Sequence, residues 1–162
     1  MLAAVITKPG GPEVFEIQEI EDPKFGNEDV LIQVKASALN RADTLQRKGR
    51  YPSPVGIRSD VPGLEMAGII LDVGSLVQNF SPGDRVFGLL GGGGYAEKVA
   101  TNQNMLAHIP DNLSFEEAAS IPEVFITAFD AIVNQCKLEM GESLLIHAVG
   151  SGVGTAAVQI AK

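Results

Sequence analysis

The chain has 162 residues, 45% of them hydrophobic and 20% charged, and a formal net charge of −8. That length suits one domain with a sizeable core, on a scale of about 100–200 residues per domain. No apolar run approaches the ~20 residues of a membrane span, the N-terminus lacks the basic-then-apolar pattern of a signal peptide, and the acidic balance speaks against a nucleic-acid or anionic-membrane surface. The expectation is a soluble, cytoplasmic protein with no nucleic-acid and no membrane partner. Its single cysteine, Cys136, can form no internal disulfide. At helical spacing from Ile132 and Val133, it reads as a core or helix-surface thiol.

In chain order, Leu2 to Thr7 is a short β-type run, closed by the turn Lys8-Pro9-Gly10-Gly11-Pro12. Val14 to Ile20 and Asp29 to Ala38 are two further strands. The second alternates, with Val30, Ile32, Val34 and Ala36 on one face and Gln33 and Lys35 on the other. Asn40 can cap a short helix from Arg41 to Lys48 that Gly49 stops. Residues 50–62 are proline-rich and irregular, and 63–68 lead into a strand from Ile69 to Val73. Ser81-Pro82-Gly83-Asp84 is a tight turn delivering the next strand. Gly91 to Gly94 precede Tyr95 to Thr101 with no helix after them, so they read as a plain turn rather than a phosphate cradle. Met105 to Ile109 closes the β-rich portion.

The character then turns helical. Ser114-Phe115-Glu116-Glu117 fits a capping box, and Pro122 to Lys137 sets Phe125, Phe129, Ile132, Val133 and Cys136 along one face. After Gly141, the run from Glu142 to Ala148 reads as a buried strand, followed by a glycine-rich turn and a helix from Thr155 to Lys162. Glycine lets a backbone approach a ligand closely, and the first N–H groups of a helix are partly positive, so this strand-turn-helix suits a pyrophosphate. A doubly wound nucleotide fold needs further strands, and its ribose-reading residue lies about 20 residues on. The expected architecture is therefore mostly β with helices, an antiparallel barrel or sandwich, joined to the opening of a truncated α/β element.

Several short motifs follow one another along the chain: Ser37 to Asp43 (SALNRAD), Pro62 to Gly68 (PGLEMAG), Gly83 to Val86 (GDRV), Tyr95-Ala96-Glu97, and Ile121-Pro122 with Thr127-Ala128. In this order they resemble the medium-chain dehydrogenase/reductase superfamily, and within it the zinc-free quinone oxidoreductases of the zeta-crystallin-like, tumour-suppressor-inducible type. The resemblance implies a GroES-like catalytic domain over 1–122, a connecting helix over 123–140 and the first β-α unit of a truncated Rossmann domain over 141–162. It also implies NADPH as cofactor, a quinone or enone as small-molecule substrate, and a homodimer for a full-length parent. An enoyl reductase of the same superfamily is the enzymatic alternative. A non-catalytic truncated isoform or excised GroES-like domain is the other.

Zinc alcohol dehydrogenases of this superfamily place a cysteine near position 40 and a histidine at position 64. Here these are Asn40 and Leu64, neither of which can ligate zinc, and no cysteine cluster exists for a structural site, so no metal is expected. His108 is expected in a strand or turn and His147 packed within an apolar strand. The resemblance carries Asn40, Tyr51 and Thr127 to the nicotinamide end of a cleft, with Tyr51 and Asn40 nearest the chemistry. Each has a plainer role: a helix cap for Asn40, loop cover for Tyr51, back-bonding within its helix for Thr127. Ala148, Gly150, Ser151, Gly152, Val153 and Gly154 form the expected cofactor turn. Ser151 stands where glycine is commoner, so it either bonds a phosphate or narrows the approach. Glu65 is expected in a buried ion pair or hydrogen bond, and Asp43 and Glu123 have no partner visible in the sequence.

Overall fold

The computed structural model describes residues 1–162, which form two compact units, Met1–Ser120 and Ile121–Lys162. The first is built on a five-stranded antiparallel sheet in the order β6-β3-β4-β5-β7. Its centre is β3 (Asp29–Ala36), hydrogen-bonded to β4 (Glu65–Val73) on one side and β6 (Lys98–Asn102) on the other. β5 (Arg85–Leu89) and β7 (Leu106–His108) extend the sheet beyond β4. The alternation read in β3 is realised: Val30 and Ile32 are fully buried, while Gln33 and Lys35 are exposed. Val30 and Ile32 pack with Met66, Ile70, Val86, Leu90 and Val99. Each such side chain removed from water contributes roughly 1.5–3 kcal/mol. A hairpin of β1 (Leu2–Ile6) and β2 (Phe15–Glu19) joins the body through a bridge between Ala3 and Ala96.

Two strand boundaries differ from expectation. β4 starts at Glu65, four residues before the expected Ile69, because Glu65–Ile69 pairs with Leu89–Arg85 of β5. β6 starts at Lys98 rather than Tyr95, because the Gly94 and Tyr95 N–H groups turn to the carbonyls of Gly63 and Pro62 instead. Gly63 has φ +105°, and a Cβ there would stand 2.7 Å from Gly94 Cα, so these two backbones can touch only as glycines. Gly91 to Gly94 is a turn without a following helix, as read, and its backbone is part of this contact. Helix α1 (Arg41–Arg47) follows β3, and α2 (Phe115–Ala119) opens with the expected capping box: Glu117 N–H donates to Ser114 Oγ at 3.2 Å, and Ser114 N–H to Glu117 Oε2 at 2.9 Å. His108 ends β7, its ring tilted against Phe80.

The second unit contains α3 (Pro122–Phe129), continued by a wider π-helical stretch over Asp130–Gln135, and α4 (Gly152–Ala161). The expected apolar face is only partly the buried one. Ala128 and Ile132 are buried against Ala156 and Ala157, with Val124 and Phe125 beside them, whereas Phe129, Val133 and Cys136 are exposed. A ladder of i→i+5 bonds holds more residues per turn than 3.6, so a face extrapolated at ordinary helical spacing drifts off the core. The strand expected from Glu142 to Ala148 is not formed. Leu144 and Ile146 still turn inward while Leu145 and His147 are exposed, so the period of two persists without a ladder. No strand of this unit offers it the N–H and C=O groups that would complete a sheet, and His147 is consequently solvent-facing rather than packed. The expected turn and helix are present, with α4 starting at Gly152 instead of Thr155. No helix is long and apolar enough to cross a membrane.

Candidate functional site

In the first unit, the exit of β3, the start of α1 and the start of β4 bring a set of polar side chains together. Asn40 occupies the N-cap of α1 and exchanges bonds with Asp43: its N–H donates to Asp43 Oδ2 at 2.7 Å, and the Asp43 N–H donates to the Asn40 carbonyl at 3.1 Å. Its side-chain amide is directed elsewhere, donating to Glu65 Oε1 at 2.7 Å. Glu65 is 1% exposed, so the expectation of a buried hydrogen-bonded carboxylate is met. Ser37 Oγ donates to the Glu65 carbonyl at 2.8 Å, fastening the end of β3 to the head of β4.

Asp43 is 5% exposed, and Tyr95 joins it from the loop after the glycine run. The Tyr95 hydroxyl donates to Asp43 Oδ2 at 2.7 Å, and Asp43 Oδ1 accepts the Gly63 N–H at 3.3 Å. Burial pushes the Tyr95 phenol far above its ordinary value of 10.0, and the Asp43 and Glu65 carboxylates push it the same way. Tyr95 therefore stays protonated and is a fixed hydrogen-bond donor at any physiological pH. A buried carboxylate with charge-assisted bonds to three donors is well compensated. Sequence reasoning missed this Asp43–Tyr95 contact. Asp43 carried a signal, three residues after a capping residue, but its tyrosine partner lies 52 positions away.

Tyr51 does not join the network. It is 41% exposed, its hydroxyl makes no hydrogen bond within the chain, and it lines a cavity of about 580 Å³ bordered by α1 and the end of β1. Asn40 does not line that cavity. No group of three or more His, Cys, Asp or Glu side chains is gathered as a metal site would require.

In the second unit, Thr127 is exposed and its Oγ1 donates to Glu123 Oε2 at 2.9 Å, one helical turn back. That bond replaces the back-bonding to a carbonyl considered from sequence, and it gives Glu123 a partner the sequence did not reveal. Ala148 opens the glycine-rich turn with φ +53°, a left-handed conformation unusual for a residue with a Cβ. Ser151 caps α4, its Oγ accepting the Gly154 N–H at 3.0 Å. Gly154 is required by packing, because a Cβ there would lie 2.6 Å from the Ala148 carbonyl oxygen and 2.7 Å from Val149 Cα.

With Gly154 capped by Ser151 and the Thr155 N–H bonded to the Ser151 carbonyl, the N–H groups of Gly152 and Val153 are left without an acceptor. Gly150 and Ser151 beside them are exposed, and the first turn of α4 carries no acidic residue. Open donors, a favourable dipole and absence of local negative charge fit a phosphate. Ser151 therefore acts first on the protein, as a cap, and its own O–H is still able to donate outward.

Residues 26–111 match the family model of the alcohol dehydrogenase GroES-like domain. Along 164 aligned positions, the chain is 37% identical to the quinone oxidoreductase of Lama guanicoe, covering 100% of this chain and 49% of that protein. Among solved structures, the CurK enoyl reductase superposes with a TM-score of 0.90 at 32% identity, over 99% of this chain and 50% of that one. The mycobacterial protein Rv1454c, solved with NADPH, superposes with a TM-score of 0.87 at 30% identity, over 98% and 49%. The chain thus spans about half the length of the quinone oxidoreductase. It spans less than a tenth of the reducing polyketide synthases that it also matches, 7% in the case of hmp8 from Hypomyces subiculosus.

Proposed function

The chain belongs to the alcohol dehydrogenase GroES-like domain family within the medium-chain dehydrogenase/reductase superfamily of oxidoreductases, and from that premise we propose that it serves an NADPH-dependent, metal-independent reduction of a quinone or similar conjugated carbonyl. The observation that carries the reading is the turn before α4, where the free Gly152 and Val153 N–H groups, the exposed Gly150 and the Ser151 hydroxyl fit a dinucleotide phosphate. Gly150, Ser151, Gly152 and Val153 would hold the cofactor's phosphate, and the cofactor would supply the hydride that reduces the acceptor.

The chain's own residues then position and shield. Ala148, Val153 and Gly154 shape the turn, and Ser151 holds the helix start while its O–H faces the phosphate. Asn40, fixed by Glu65 on one side and Asp43 on the other, presents a half-buried amide whose rotation is already restricted. Thr127 is assigned to the cofactor's nicotinamide half and Tyr51 to the acceptor. Metal independence is supported by residue identity: at positions 40 and 64 stand Asn40, bonded to a buried carboxylate, and Leu64, which has no donor atom. A small-molecule acceptor and a homodimeric assembly belong to the same proposal.

One observation favours a second reading. Tyr51 is a half-exposed phenol with no intrachain acceptor, available to protonate the carbon left after hydride delivery to an enoyl thioester. The test supplies the protein with NADPH and either an ortho-quinone or a 2-enoyl thioester, and follows NADPH consumption. Quinone-dependent consumption that Tyr51→Phe leaves unchanged fits the first reading. Enoyl-dependent consumption lowered about 100-fold by the same substitution fits the second. Consumption with neither acceptor, together with absence of NADPH binding, would leave this chain a non-catalytic domain.

A further inference from the structure

The cavity beside Tyr51 has a charge pattern that the proposed hydride transfer does not use. It is lined by Lys8, Arg47 and Arg50, in a protein whose net charge is −8. None of the three forms an ion pair. The one carboxylate lining the cavity, Asp60, is engaged by Arg58 through two bonds, Nε to Oδ1 at 2.9 Å and Nη2 to Oδ2 at 2.6 Å, so its charge is already answered. Arg47 is anchored by its Nε to the Gly10 carbonyl at 3.2 Å, which holds the guanidinium while leaving its terminal nitrogens uncommitted.

Neutral donors and acceptors converge with these cations. Tyr51 contributes an unbonded hydroxyl, and Gln46, 7% exposed, gives its amide N–H groups to Ser53 Oγ and the Ser59 carbonyl while its Oε1 accepts no intrachain bond. Ile6, Pro9 and the Tyr51 ring add apolar wall. A volume of about 580 Å³ lies within the roughly 300–1,000 Å³ typical of small-molecule sites, too large for a bare ion alone. Three unpaired cations with one pre-anchored guanidinium suit a doubly charged oxyanion, and the apolar wall suits a carbon body attached to it.

We infer that this cavity binds the phosphate group of a small organic phosphoester, with Arg47, Lys8 and Arg50 holding the phosphate and the Tyr51 side holding the organic body. The inference shares Tyr51 with the proposed hydride transfer but is tested apart from it. Binding is read without cofactor or turnover, so its failure would leave the oxidoreductase reading in place.

The test titrates the full chain with phenyl phosphate, inorganic phosphate and phenol, following backbone amide shifts by NMR. Phenyl phosphate is expected to move the amides of Lys8 and residues 49–51, to bind more tightly than inorganic phosphate, and to weaken with added salt, while phenol leaves those amides still. Lys8→Ala with Arg50→Ala, both at exposed positions that the fold does not need, is expected to weaken phenyl phosphate about tenfold. Arg47→Lys should lose less than Arg47→Ala. The inference is overturned if phenyl phosphate fails to bind, if the double variant binds it unchanged, if inorganic phosphate binds equally well, or if the shifts are confined to residues 150–153 at the start of α4.

Discussion

The two units meet the needs of their polar groups differently and build cores of different size, though both leave some large apolar side chains exposed, Val55 and Leu39 in the first among them. In Met1–Ser120 the buried carboxylates of Asp43 and Glu65 are met by side chains and backbone from distant segments, and the sheet core is closed around Ile32 and Met66. In Ile121–Lys162 the core is small, built on Ala128, Ile132, Ala156 and Ala157, while Met140, Leu145 and Val149 are 104%, 81% and 51% exposed. Its glycine-rich turn keeps two N–H groups open. The first unit is pre-organised by its own bonds; the second holds its open N–H groups on a thin framework, whose amides should exchange with solvent faster than those of the sheet.

The largest expected effect comes from removing the centre of the first unit's network. Asp43→Ala strands the N–H groups of Asn40 and Gly63 and leaves the Tyr95 hydroxyl only its longer bond to the Ala38 carbonyl at 3.3 Å, and should lower stability by about 3 kcal/mol in urea unfolding. Asp43→Asn, which retains an acceptor, should lose less. If Asp43→Ala unfolds at the wild-type midpoint, the network is not what organises this unit.

Tyr95→Phe removes one bond to a charged group, worth roughly 1.5–3 kcal/mol. It should also change the alkaline limb. Because the folded-state phenol titrates above its unfolded value of 10.0, its stabilisation is fully present below about pH 10 and is lost as pH rises from there toward the folded value. Unfolding midpoints between neutral pH and pH 11 should therefore fall more steeply for the wild type than for Tyr95→Phe. Parallel curves would mean that Tyr95 is not held as a donor.

In the second unit, Gly154→Ala forces a Cβ into the backbone of Ala148 and Val149 and should cost about 1–3 kcal/mol. That loss should appear as faster amide exchange in α4 with the sheet's protection unchanged. If the sheet amides accelerate equally, the two units do not differ as described. The smallest effect is at the surface: Asp60→Asn removes an exposed ion pair with Arg58 and should change stability by about 0.2–1 kcal/mol, less still in high salt.

Legibility in the sequence followed the range of the interactions. The alternation of β3, the Ser114–Glu117 box and the short helix after Asn40 are local, and each stands where its residues placed it; the glycine-rich turn is also local, though its helix begins at Gly152, three residues early. The head of β4 was hidden because Gly63 to Gly68 reads as a loop until Leu89 to Arg85 is known to pair with it. The buried face of α3 was misplaced because nothing in a 3.6-residue period announces a π-helical stretch at Asp130. Asn40 was recognised both as a cap and as a candidate ligand-facing group, yet its bond to Glu65, 25 residues on, and the Tyr95–Asp43 contact depend on the tertiary fold. The strand expected at 142–148 shows the same limit from the other side: its period of two is visible, but a ladder needs a partner.

The account turns on the glycine-rich turn as the cofactor's phosphate site. The most direct test is an NMR titration of the protein with NADPH, reading the amides of Gly150, Ser151, Gly152 and Val153 in the wild type and in Ser151→Ala. The account predicts saturable shifts at these amides, weakened when the Ser151 hydroxyl is removed. Saturable NADPH binding that moves other amides and leaves residues 150–153 still would contradict it.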